Sequence, residues 1–126
     1  MLRKGSDSFS SSVNGSVFTD VASFKVMENV DRVVMAVYNT DKSASLEKIT
    51  FRVLVQFIKN GGFVEFGAWD QAPLGRALPS PLGKDETFWG CINDFGIETV
   101  KVQALRSGSV AIPITVEYKC LAEGLD

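Results

Sequence analysis

Four carboxylates, Asp70, Asp85, Glu86 and Asp94, lie close in sequence to the two tryptophans of the chain, Trp69 and Trp89. Paired carboxyl groups about 5 to 9.5 Å apart across a cleft perform glycoside hydrolysis. A tryptophan face, in turn, is a stacking surface for a sugar ring. A chain of 126 residues has little material left to build a cleft around such a pair, so catalysis is not expected. The same oxygens are of the kind that bind calcium, but their spacing matches no EF-hand loop, and solvated turns account for them. A non-catalytic variant keeps the platform: a carbohydrate-binding module in which Trp69 or Trp89 stacks on a sugar while Asp70, Gln71 and Arg76 hydrogen-bond its hydroxyls.

Other chemistries are closed off by composition. The chain has no histidine, which removes the commonest general base and zinc ligand together with every Ser-His-Asp or Cys-His arrangement. Cys91 and Cys120 alone cannot complete a tetrahedral zinc site, and they are expected as buried reduced thiols rather than a bridge. Neither a GxxxxGK[ST] loop nor a GxGxxG turn opening a helix occurs, so no nucleotide, metal or other cofactor is expected. A formal charge of −2 with no basic run argues against nucleic acid as the main partner. The opening MLRKGSDSFSSSVNGS lacks the apolar run of a secretory signal, and no later stretch is long enough to span a bilayer. A protein made in the cytoplasm, without a membrane partner, is the expectation.

The elements that would position these residues are strands. From Val17 onward the apolar period is two rather than 3.6, with Phe18, Ala22, Phe24 and Val26 sharing one parity, and Ile112, Ile114, Val116, Tyr118 and Cys120 another such set. Between these lie apolar runs at 33–38, 48–58, 63–69, 88–92 and 98–105, separated by the turn clusters NTDKS, KNGG, NDFG and RSGS. About seven strands with no helix beyond a turn near Ala44 to Lys48 predict an all-β fold: a two-sheet antiparallel β-sandwich, jelly-roll or immunoglobulin-like. Val33 to Tyr38, apolar on both faces, reads as a central strand. Pro113 places its end of the last strand at an edge or bulge. Residues 1–16, with six serines and two glycines, read as a flexible N-terminal arm, and residues 17–126 as the sandwich, carrying a long Pro-bearing loop at 70–87.

Register in the central hairpin follows from its turn. Asn60-Gly61 signals a two-residue type I′ loop, which pairs Ile58 with Phe63, Gln56 with Glu65, Leu54 with Gly67 and Arg52 with Trp69. One face then carries Val53, Val55, Phe57, Val64 and Phe66 into the core. The opposite face carries Arg52, Leu54, Ile58, Phe63 and Trp69, more apolar than a solvated face, with an arginine able to stack on the indole. Something should cover it: the 69–87 connection of the same chain, another subunit, or a planar ligand. Within that connection Leu74, Leu78 and Leu82 cannot share a helix because Pro79 and Pro81 break it, so with Arg76 they read as separate plugs into a neighbouring surface.

In general layout the chain resembles small virion proteins of bacteriophages and viruses, with a Ser/Gly-rich arm, a helix-poor sandwich, a long Pro-bearing loop and no catalytic set. That likeness implies a non-enzymatic structural subunit of a symmetric assembly, a homo-oligomer or one part of a larger capsid, decoration or tail structure, located in the virion.

Overall fold

The computed structural model describes residues 2–13, 15–26, 30, 32–39, 49–66, 80–82, 87–93, 96–106 and 112–122. Nine strands run through them: β1 (Leu2–Val13), β2 (Thr19–Lys25), β3 (Arg32–Asn39), β4 (Ile49–Gln56), β5 (Phe63–Glu65), β6 (Ser80–Leu82), β7 (Thr87–Asn93), β8 (Thr99–Arg106) and β9 (Ile112–Ala122). They form two antiparallel sheets, one in the order β1-β9-β3-β7 and one in the order β2-β8-β4-β5, with β6 pairing β4 further along the edge that β5 uses. The all-β sandwich expected from the sequence is present. Its topology settles which kind: along the chain β1, β2, β3 and β4 alternate between sheets, as do β7, β8 and β9, so almost no consecutive strands are hairpin partners. That is a jelly-roll winding; an immunoglobulin domain would pair consecutive strands within each sheet.

The alternation read from the sequence supplies the core. Along β3 and β4 every second residue is buried, Val33, Met35 and Val37 from one sheet meeting Ile49, Phe51, Val53 and Val55 from the other. β8 adds Val100, Val102 and Ala104, and β9 adds Ile114, Val116 and Cys120. Phe51 and Phe88 join the sheets at mid-core, with centroids 5.1 Å apart and planes tilted by 56°, a favoured aromatic geometry. At the β1–β2 edge Tyr118 closes the sandwich by stacking on Phe24 at 3.5 Å and, more loosely, on Phe9 at 6.1 Å. Burial, followed by the nearby charges of Cys120 and Asp7, raises the Tyr118 phenol above its ordinary value.

β3 is central as expected, with β9 on one side and β7 on the other. Among the described residues β3 pairs with β9 no further than Ile114, so Pro113 lies just past the end of that ladder, where a missing N–H is tolerated.

Three expectations are corrected. First, the segment assigned to a flexible arm is strand β1, paired with β9 from Leu2↔Ala122 to Val13↔Ile112, and Val13 is buried. Its low apolar content suffices because an edge strand is held largely by its ladder. On its inner side it presents Phe9 and Val13 to the core, while Asp7, on the same side, is exposed and accepts a hydrogen bond from the Ser8 amide. A charged residue at such a position also discourages pairing of the free edge with another chain.

Second, Phe18 does not share a face with Ala22 and Phe24. A bulge between Asp20 and Ala22 shifts the register of β2 against β8, so the parity that buries Ala22 and Phe24 leaves Phe18 and Asp20 outside.

Third, the hairpin is not closed by a two-residue type I′ turn. Positive φ occurs at Asn60, at 65°, and the Gly61 amide donates to the Ile58 carbonyl at 2.8 Å, so the tight turn spans Ile58 to Gly61. A Cβ on Gly61 would stand 2.9 Å from that carbonyl oxygen, which explains the glycine there. The Gln56 side-chain amide donates to the Gly61 carbonyl at 2.8 Å, and pairing resumes at Gln56↔Phe63, Val55↔Val64 and Leu54↔Glu65. The register has therefore slipped by two residues, which keeps every side chain on its expected face while moving each along its partner. Phe57 and Val64, expected inside, are 49% and 51% exposed, Phe57 just past the end of β4 and Val64 on the short strand β5 opposite Val55.

Candidate functional site

The outer face of the β2-β8-β4-β5 sheet is where an apolar surface in need of a cover was expected. Instead it is laced by polar side chains. Arg52 Nε donates to Gln103 Oε1 at 2.9 Å, Gln103 Nε2 donates to Asp20 Oδ1 at 2.8 Å, and Lys101 Nζ stands 3.6 Å from Asp20 Oδ2. The cations of this chain also cover the aromatic groups: the Arg52 guanidinium lies 4.1 Å over the Phe18 ring and Lys101 Nζ 4.2 Å over the Phe63 ring. Arg52 therefore stacks on a phenylalanine brought over by the β2 bulge, a contact that parity alone could not show. Leu54, Arg52 and Phe63 are all half-buried in this lattice.

Apolar exposure is concentrated at the hairpin tip, where Ile58 is 73% exposed beside Phe57 and Val64. Of the residues assigned to an interface, Ile58 is thus fully displayed and Arg52, Leu54 and Phe63 partly so. Trp69, Leu74, Arg76 and Leu78 lie outside the described residues, as do Asp70, Gln71, Asp85, Glu86 and Asp94, and for Leu82 only the backbone pairing Ile49↔Leu82 is described. Part of the long connection therefore returns along the β4 edge as β6, with Pro81 at a position where an edge strand tolerates it.

The opposite sheet carries a second surface. On its outer face the ladder places Trp89, Ala36, Glu117 and Ser8 in one row and Cys91, Val34, Lys119 and Ser6 in the next. Trp89 is 44% exposed on the edge strand β7, and beside it these rows border a hollow of about 470 Å³. Tyr38 donates a hydrogen bond to Glu117; burial first, then the Glu117 charge and this bond, push the phenol above its ordinary value. Ser10 and Thr115 hydroxyls sit 3.3 Å apart further along the same face.

Both cysteines are free and buried. They lie on opposite faces of one sheet with β3 between their strands, too far apart for a bridge: Cys120 packs in the core cluster, whereas Cys91 shares the outward parity of Trp89. Burial raises the Cys120 thiol, which keeps it protonated and unreactive. Among the described residues no three His, Cys, Asp or Glu side chains are grouped to hold a metal ion, and no helix is long and apolar enough to cross a membrane.

No family model matches the chain, and no curated protein matches it.

Proposed function

We propose that this chain is a non-enzymatic structural subunit of a symmetric assembly, a virion component of the capsid, decoration or tail kind, working as a homo-oligomer or among other subunits. The observation that carries the reading is the hairpin tip, where Phe57, Ile58 and Val64 hold large apolar groups in solvent at the end of an otherwise well-packed sandwich. An aromatic and two aliphatic groups exposed around one hairpin are of the apolar kind found at interface centres. The jelly-roll winding supports the reading by analogy, since capsid proteins use it repeatedly, although lectin domains and cupins use it too.

In this mechanism the tip of one subunit is buried against its neighbour. Each such group, once covered, contributes roughly 1.5 to 3 kcal/mol before ordering costs. Contacts of that size become firm when repeated around a closed ring or shell. The 70–87 connection, through Leu74, Arg76 and Leu78, is a second proposed contact. The serine-rich N-terminal segment plays no part as a reaching arm, because it is committed to β1.

Ile58→Asp tests the tip. Its side chain is exposed and outside the core, so circular dichroism and the unfolding midpoint should be unchanged while light scattering reports dissociation. A shift of about tenfold or more in the subunit concentration needed for assembly is expected from losing one such group and burying a charge in its place. An assembly indifferent to the substitution would remove the tip from the interface.

A further inference from the structure

We propose that the outer face of the β1-β9-β3-β7 sheet at Trp89 is a saccharide-binding site, taking a neutral pyranose unit of a glycan. The proposal goes beyond the assembly reading and uses none of its residues.

The hollow selects this ligand by the kind of surface it joins together. Trp89 is an exposed indole at one rim, on an edge strand where a ring can approach its face. Ala36 is its direct cross-strand partner, and Val34 lies one row on, so the floor beside the indole is apolar and low. The far side turns polar: Glu117 faces Ala36 across the β3–β9 ladder, Lys119 faces Val34, and Ser8 faces Glu117 across the next ladder. A ligand that fits must therefore have an apolar face for stacking and hydrogen-bonding groups around its rim. A pyranose ring has that form, with C–H groups on its faces and hydroxyls at its edge. A hollow of about 470 Å³ is also within the range usual for small-molecule sites, roughly 300–1,000 Å³.

Charge narrows the class further. Glu117 and Lys119 both border the hollow and offset each other, so the site favours neither anion nor cation. Nucleic acid would stack on the indole equally well, but with Lys119 offset by Glu117 the hollow offers no net positive charge to its phosphates, on a chain whose formal charge is −2.

The test is an array of immobilised neutral and acidic oligosaccharides probed with the labelled full chain. Isothermal titration then uses the retained oligosaccharide free in solution. Neutral glycans should be retained, with binding weakened by about tenfold or more in Trp89→Ala and by less than about threefold in Trp89→Phe, as loss or retention of one stacked ring implies. Ser8→Arg, which fills the hollow and leaves the indole in place, should abolish retention with the circular dichroism spectrum unchanged. Retention of acidic glycans alone would overturn the proposal, as would an array without binding, or binding by Trp89→Ala or Ser8→Arg equal to that of the unaltered chain. If Trp89→Ala altered the assembled mass and no glycan bound, the face would instead be an interface between subunits. Loss of glycan binding with assembly intact, or the reverse, keeps this site and the hairpin tip separable.

Discussion

Removal of residues 2–12 is expected to abolish the cooperative unfolding transition, or to lower its midpoint by on the order of 20 °C or more. β1 is paired to β9 over nearly its whole length, and Phe9 stacks on the Tyr118 ring that closes the sandwich edge. Each lost backbone hydrogen bond is worth about 0.5–1.5 kcal/mol net, and the ladder holds several. The sum is comparable to the whole stability of a typical domain, about 5–15 kcal/mol. The truncated chain would also expose β9 as a long apolar edge, so aggregation should accompany the loss. Differential scanning calorimetry and light scattering of the two chains measure both effects. An unchanged midpoint would mean that the serine-rich segment is a tail after all and that the sandwich begins at β2.

Phe51→Ala should be the most damaging single substitution, at about 3–5 kcal/mol. Phe51 is fully buried and tilted against Phe88 of the other sheet, so truncation opens a cavity that neither sheet can close without shifting its ladder. Urea titration should show a lower midpoint at unchanged slope, the mark of lost stability without a change in the surface exposed. Phe63→Ala is the comparison: its ring is half-buried with the Lys101 ammonium over it, and a loss of about 1 kcal/mol or less is expected. Equal costs for the two would contradict the division into a core face and a polar outer face.

Much of this division is legible in the sequence, because side-chain parity is a property of the strand itself. The alternation in Ile49 to Val55 and in Ile114 to Cys120 names the buried face of β4 and β9 directly, whereas Val33 to Tyr38, apolar on both faces, marks β3 as central without saying which face is buried. Parity fails where the chain inserts a residue. The β2 bulge sends Phe18 outward, and a one-residue insertion leaves no mark in a pattern of period two other than its reversal. The hairpin turn departs from the sequence expectation for a different reason. Asn-Gly is the strongest short signal for a tight hairpin, but here Asn60 alone takes positive φ and the Gln56 side chain holds a longer loop. β1 escaped notice because composition measures the means of burying apolar surface, whereas an edge strand draws on backbone pairing; Phe9 and Val13, four apart and therefore on one face, were the available signal.

The candidate surfaces were legible only in part. Ile58 and Trp89 could be named from residue type, and both are displayed. The polar lattice of Arg52, Gln103, Asp20 and Lys101 joins three strands, two of them distant in sequence from the third, and no local pattern announces it. The row Trp89, Ala36, Glu117 and Ser8 likewise exists only once the jelly-roll order sets β7, β3, β9 and β1 side by side.

The assembly reading is tested most directly by electron micrographs of the purified full chain at high concentration, with light scattering on the same sample. Uniform closed particles, rings or tubes, with a mass several times that of the chain, are the predicted result. A homogeneous monomer in both measurements, with Phe57, Ile58 and Val64 left in solvent, would contradict it.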